Sequence, residues 1–272
     1  VRGVTRYFTL SLKTVLTRPE LIFWAIIFVE FWVLMWAYVF GVHIPAHEEA
    51  VKDYVSTAYG GLTILSLSAT ATTIAYALIY SSKSIKFVTK YTRLSPSRFM
   101  VENAVSSITV LLIVSAIMFA SMIIVFWHRF GLLVLPHNPP GLFAATLLSA
   151  VFLYALSSFL SLLIVVLRAP RSASFIAFVP LMLGFLAYAS PWIDFRIIAY
   201  ISPFNCISSL FYHYYSGKQP VTGGIFMPGD KELMDTMLTA SSLTTWTITL
   251  LILDIILLRR MRGVGIEEIR IV

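Results

Sequence analysis

The chain has 272 residues, 58% of them hydrophobic and only 12% charged, against roughly 25% charged in a soluble domain. A water-soluble fold of this size has no way to hide so much apolar surface. The formal net charge of +7 is divided into separate clusters between apolar stretches, which argues against a nucleic acid partner.

The first element is residues 4–16. Val4, Tyr7, Phe8, Leu12, Val15 and Leu16 recur at helical spacing, with Arg6, Thr9, Lys13 and Thr14 on the opposite side. A basic amphipathic helix of this kind lies in the membrane interface with its apolar face in the acyl boundary. The bland alternative is a juxtamembrane anchor with no mechanical role. Pro19 then turns the chain, since proline fits the first turn of a new helix and not the middle of one. The sequence opens at Val1 without a methionine, so residues are expected to precede it, and no cleavable signal peptide is visible.

Six apolar spans follow, at 21–42, 56–80, 104–127, 142–167, 172–192 and 240–258. Each reaches roughly 19 residues or more, the length with which an α-helix crosses about 30 Å of hydrocarbon. Irregular backbone cannot face lipid, so the spans are predicted to be helices. The expectation is an all-α membrane protein in which 1–272 form a single transmembrane domain.

The first span carries Glu30 near its middle, and the sixth carries Asp254 toward its inner end. A charge at membrane depth costs roughly 2.5–3.5 kcal/mol on insertion scales, so each is expected to face protein or water. An interhelical hydrogen bond is the favoured reading of both, with Arg259 or Arg260 as a partner for Asp254. A cation contact or proton coupling is the functional alternative. In the second span Tyr59, Thr63, Ser66, Thr70 and Thr73 fall on one stripe at 3.6 residues per turn. Small hydroxylated stripes serve close helix packing first and a weakly polar pathway second. On the fifth span Phe178, Phe185 and Tyr188 offer aromatic surface, with Pro180 and Gly184 as flex points.

Two connections are long. Within 81–103, residues 84–92 are expected to form a short helix with Ile85, Val88 and Thr92 on one side. Ser95-Pro96 then reads as an N-cap followed by proline at the first helical position, opening a helix that runs into the third span. The connection 193–239 is too long for an empty loop. Its first half carries Ile197, Ile198, Ile201, Phe204, Ile207, Leu210 and Phe211 at near-helical spacing, interrupted by Ser202-Pro203. It is read as one or two short re-entrant helices dipping into the outer leaflet, the alternative being one helix flat on the surface. The glycines and prolines of 216–235 predict a surface loop.

Basic residues fix the orientation. They cluster before the first span, after the second, after the fourth and after the sixth, leaving only Lys52, Arg129, Arg196, Lys218 and Lys231 elsewhere. Positive residues stay inside, so both termini and the loops after spans two and four are predicted to be cytoplasmic. Cys206 is alone, so the chain forms no internal disulfide.

Several catalytic signals are missing. His43 and His47 precede Glu48, but Pro45 sits between them and no third ligand is evident, so no metal site is expected. His128, His137 and His213 are isolated. No G-x-x-x-x-G-K-[ST], G-x-S-x-G or H-E-x-x-H occurs, which removes a P-loop and the commonest hydrolase signatures. No catalytic residue and no cofactor is expected in the chain.

The order of parts resembles the permease subunit of a type-2 ABC exporter. The similarity begins at Arg6-Tyr7-Phe8 and Thr17-Arg18-Pro19-Glu20-Leu21, like that family's elbow helix entering the first span. It continues through Tyr91-Thr92-Arg93-Leu94-Ser95-Pro96, then Pro180, Ser190-Pro191-Trp192 and Ile201-Ser202-Pro203-Phe204. The resemblance implies coupling to an ATPase through Lys86, Tyr91, Arg93, Leu94, Ser95 and Arg98, with Arg6 and Lys13 of the elbow. It implies a substrate path beside Thr63, Ser66 and Thr70 of span two and Phe178, Phe185 and Tyr188 of span five. The implied partners are separate ABC ATPase subunits holding ATP and Mg, a second permease copy or sister chain, and membrane lipid. The implied location is the cell membrane, and the implied direction is export. The Glu-Ala-Ala plus glycine loop of many ABC importers is not found. Two other classes remain open: an intramembrane lipid-modifying enzyme using Glu30, Asp254 or the histidines, and a non-transporting assembly partner.

Overall fold

The computed structural model describes the backbone of residues 2–45, 47–91, 96–167, 170–228 and 231–261, and the side chains of 8–45, 47–80, 101–167, 171–228 and 231–258. The described residues are mostly helical and contain no strands, only two isolated bridges, Asp194 to Gly223 and Val221 to Leu233.

Helix α1, Arg2–Leu16, ends before Pro19, where the next helical run begins as the sequence predicts. Leu12, Val15 and Leu16 turn inward, while Lys13 and Thr14 are exposed. The run Pro19–His43 is one apolar rod of uneven winding. It starts as α2, Pro19–Leu21, widens into a π-helical segment at Ile22–Ile27, and returns to α-helix as α3, Phe28–Leu34. It widens again at Met35–Val39 and closes in a 3₁₀ turn, Phe40–His43.

Helix α4, Glu48–Tyr91, is continuous over 44 residues. At 1.5 Å per residue it is about 66 Å long, twice the thickness of a bilayer core. The separate short helix expected at 84–92 is therefore not formed. No glycine or proline interrupts the chain between Tyr80 and Tyr91, so the spanning helix simply runs on. Helix α5 starts at Pro96, as the proline-first reading requires, and runs to Phe130.

Helix α6, Pro139–Val166, is capped by Asn138, whose side chain accepts from the Gly141 amide at 3.0 Å, with prolines in the first turn. Helix α7, Ala173–Tyr188, has 16 residues and spans about 24 Å, shorter than the expected 172–192. Two short helices follow: α8, Ile197–Ile201, and α9, Pro203–Ser216. Ser202 separates them and caps α9 by accepting from the Asn205 amide at 3.4 Å. Gly217 ends α9 at φ +82°, a left-handed position glycine takes without strain. Helix α10, Thr236–Met261, starts four residues before the expected 240 because Asp235 caps it, accepting from the Met237 amide at 2.7 Å.

Five of these runs are long and apolar enough to cross a membrane: Pro19–His43, Glu48–Tyr80, Val101–Phe130, Pro139–Val166 and Thr236–Leu258. α7 is a shorter apolar helix. The chain is thus a multi-pass helical membrane protein by length and composition. α4 is its axis, packed by α5, α6, α7 and α9 and buried along most of 51–80. α9 packs into the bundle: Phe204, Cys206, Ile207, Leu210, Phe211 and Tyr215 are all buried.

Candidate functional site

One end of the bundle gathers α1, the last turns of α4 and the first turns of α5. α1 packs on α5 and touches α4. The link is polar: Ser11 Oγ lies 2.9 Å from Ser106 Oγ and donates to Asn103 Oδ1 at 3.4 Å. Of the residues assigned to ATPase coupling, Lys13 is exposed on this end. Arg93, Leu94 and Ser95 lie outside the described residues, as do the side chains of Arg6, Lys86, Tyr91 and Arg98.

At membrane depth the first run and α4 are joined through the π-helical segments. A π turn interrupts the α-helical ladder, and a neighbouring side chain meets it in both segments. Ser66 Oγ donates to the Ala25 carbonyl at 2.5 Å. Tyr54 Oη donates to the Trp36 carbonyl at 2.7 Å, and Arg129 Nε to the Ala37 carbonyl at 3.2 Å. Between the two segments, Glu30 accepts a hydrogen bond from Ser121 of α5, the interhelical role favoured for it.

Thr63, Ser66 and Thr70 are fully buried in helix contacts within the single chain. Thr70 bonds its own helix, to the Ser66 carbonyl at 2.9 Å. The aromatic residues of α7 divide. Phe178 is exposed, Phe185 meets Phe28 edge-on, and Tyr188 accepts from Trp36 Nε1 at 2.8 Å inside a cluster with Trp32 and Trp192. Gly184 is a packing residue: a Cβ there would sit 2.4 Å from Ser68 Oγ of α4. Asp254 is buried beside Ser158 and Tyr154 of α6. Its Oδ1 has no hydrogen-bond partner among the described residues, and the side chains of Arg259 and Arg260 lie outside them.

No family model matches this chain, and no curated protein matches it.

The opposite end carries the expected surface loop, and it is held in place by side chains. Lys218 Nζ reaches from the loop to Asp53 Oδ2 at 2.7 Å and Glu49 Oε1 at 2.8 Å on the first turns of α4. These two carboxylates, Asp53 first, push the Lys218 ammonium above its ordinary range. Asp194 Oδ1 accepts from Thr222 Oγ1 at 2.7 Å and from the Arg196 amide at 3.0 Å, which lowers the Asp194 carboxyl. Beneath the loop a cavity of about 30 Å³, with room for about one water, is lined by Thr57, Ser190, Ser208, Ser209 and Tyr212.

Sequence reasoning did not single out the Lys218 clamp or the Arg129 contact. A signal was present. These are two of the five basic residues left on the basic-poor side, and among the described residues four of the five have a partner, with Lys231 donating to the Ile225 carbonyl and Arg196 facing Asp194. Cations stranded against the charge bias are the ones worth pairing. No group of three His, Cys, Asp or Glu able to hold a metal occurs among the described residues.

Proposed function

We propose that this chain is the membrane permease subunit of an ATP-driven exporter, working with a separate ATPase and a second permease chain. Both termini and the 81–103 connection are cytoplasmic in this reading, α7 serves as the fifth of six crossings, and the outer pair α8 and α9 is re-entrant. The substrate class it suits is amphipathic: lipid-like, peptide or drug-like.

The observation that carries the proposal is the unbroken overshoot of α4. Beyond the apolar span, which ends at Tyr80, the helix runs on for 11 residues, about 16 Å. That excess ends at Tyr91, at the same end as amphipathic α1, which is fastened to the first turns of α5 through Ser11. A lever joined directly to the central helix and braced by an interfacial helix transmits a push from outside the membrane into the bundle. The ATPase drives the change only if it binds one arrangement of these elements better than the other.

In this cycle Thr63, Ser66 and Thr70 face the path only when α4 parts from its neighbours. The exposed apolar faces of the first run and α7, including Phe23, Phe31, Phe178 and Met182, are available to a second copy.

Affinity purification of the tagged chain from its native membrane tests the proposal. A soluble P-loop ATPase should co-purify, and replacing Tyr91 and Arg93 by alanine should release it. ATPase activity indifferent to this chain, or reporter tags at 84–100 and 217–230 on one face of the bilayer, overturns it.

A further inference from the structure

Between α8 and α10 at the loop end lies a groove of about 720 Å³, within the size range of small-molecule sites. Its lining is amphipathic. Ile197 and Leu238 supply apolar surface, while Arg196, Glu232 and Ser241 supply polar groups, and Tyr200 also lines it. Trp246 Nε1 donates to the Ile201 carbonyl at 2.9 Å and Ser242 Oγ to the Tyr200 carbonyl at 2.6 Å, so the two walls are fastened and the groove is a fixed feature.

Arg196 is the unusual residue. Its φ is 47° and its ψ −127°, the only positive φ at a non-glycine residue described in the chain. The Ile198 amide bonds back to the Phe195 carbonyl at 3.0 Å, so Arg196 occupies the first central position of a type II′ turn, where glycine is normally required. Holding a side chain there is strained, and such strain persists where the side chain serves a purpose. Here it sets a guanidinium at the mouth of the groove, 82% exposed, with a single ion pair among the described residues, a long 3.8 Å contact from Nε to Asp194. The remaining guanidinium nitrogens, the Glu232 carboxylate and the Ser241 hydroxyl make no side-chain hydrogen bond to any described residue.

The surroundings identify the medium. Met237 and Ile197 beside the groove are 82% and 72% exposed, the two most exposed large apolar side chains among the described residues. Together with Ile198 and Ile201 they make an apolar shelf next to a cation and hydroxyls. That combination matches the level where acyl chains meet headgroups.

We propose that this groove binds the phosphodiester headgroup of a phospholipid from the leaflet facing the loop end. Arg196 takes the phosphate through its planar fork, which fits phosphate oxygens in a way a lysine does not. Glu232 and Ser241 accept from a donor on the headgroup, an ammonium or a hydroxyl, and the first carbons of the chains rest on Ile197 and Leu238. A quaternary headgroup fits less well, because it offers Glu232 a charge but no N–H or O–H to accept from. The inference concerns this chain alone and does not depend on the permease reading.

The test uses the full chain in nanodiscs of phosphatidylcholine doped with phosphatidylglycerol or phosphatidylethanolamine bearing a photoreactive acyl chain, with crosslinked peptides mapped by mass spectrometry. The decisive variant is Arg196→Gly. Glycine relieves the turn, so the protein should melt no lower than wild type while crosslinking at 197–201 and 237–245 falls about tenfold, the loss expected for one charge-assisted contact. Glu232→Gln should narrow the preference over photoreactive phosphatidylcholine. Crosslinking in Arg196→Gly equal to wild type overturns the proposal, because the lipid there is then an ordinary annulus. Displacement of the lipid by soluble glycerol phosphate also overturns it, because the site then serves free phosphate.

Discussion

Ser66 of α4 donates its hydroxyl across 2.5 Å to the carbonyl of Ala25, inside the first π-helical segment of the opening run. Both groups are fully buried. Ser66→Ala removes the donor without removing packing volume, so the effect isolates the hydrogen bond. Interhelical bonds in membrane bundles average about 0.6 kcal/mol and reach about 1.7. A carbonyl at an interrupted turn belongs toward the upper end. The control is Ser149→Ala, whose buried hydroxyl bonds its own helix among the described residues, at the Ala145 carbonyl 2.7 Å away. Reversible unfolding in mixed micelles should show a loss near 1–1.5 kcal/mol for Ser66→Ala and at most about 0.5 for Ser149→Ala. Equal losses would mean that the π turn does not rely on Ser66.

The α4–α7 contact is set by Gly184. A methyl there would meet Ser68 Cβ at 2.5 Å and Oγ at 2.4 Å, distances that force the helices apart. Gly184→Ala should destabilise by about 1–3 kcal/mol, the usual range for overpacking. Ser68→Ala cannot rescue it, since the Cβ clash remains. Ser68→Gly can, less roughly 1 kcal/mol for glycine inside a helix. A double-mutant cycle measured by thermal unfolding should therefore give a strongly favourable coupling for the Gly184→Ala, Ser68→Gly pair.

Much of this architecture was legible because membrane depth enforces it. The apolar lengths located five helices long enough to cross, Pro19 and Pro96 marked starts, and Ser202-Pro203 marked the break between α8 and α9. The second apolar span ends at Tyr80 as expected, and what differs is the helix, which does not break there. Hydropathy ends there, but helix propensity does not, so α4 continues to Tyr91. Ser66 and Thr70 share one stripe at 3.6 residues per turn, yet one bonds another helix and the other its own. Periodicity names the face and cannot name the acceptor. The groove beside Arg196 was invisible for a similar reason, since a positive φ at an arginine leaves no compositional trace.

Asp194 gives the loop end an acid limit. Its carboxylate is stabilised by the Thr222 hydroxyl and the Arg196 amide, so its pKa in the fold lies below the unfolded value. A depressed carboxyl contributes stability that is complete above the unfolded pKa, about 3.9, and is lost as pH falls through the lower folded value. The window therefore lies below about pH 4, not at neutral pH. Wild-type loop 217–235 should loosen there, while Asp194→Asn should be loose at every pH, with the pH dependence below 4 much reduced. Limited proteolysis at an acid-active protease's sites reads this directly. An unchanged acid profile in Asp194→Asn would assign the transition to other carboxyls.

Lys218 ties the same loop to the bundle. Its ammonium bridges Asp53 and Glu49 on the first turns of α4, but the pairs are exposed, and exposed pairs are screened by salt. The global melting point should therefore barely move in Lys218→Met. The local consequence is larger, because the ammonium is the described polar link between 217–219 and α4. Spin labels at Glu48 and Gln219 should report a narrow distance distribution in wild type and a broad one in Lys218→Met. The partners raise the Lys218 pKa, so its contribution is whole below the unfolded lysine value near about 10.4 and is lost as pH rises through the higher folded one. On the alkaline side wild type should broaden only above that pH, on the acid side once Glu49 and Asp53 are protonated, and high salt should broaden it at neutral pH. A wild-type distribution that stays narrow in concentrated salt would show that backbone contacts such as Thr222 N to Glu232 O hold the loop by themselves.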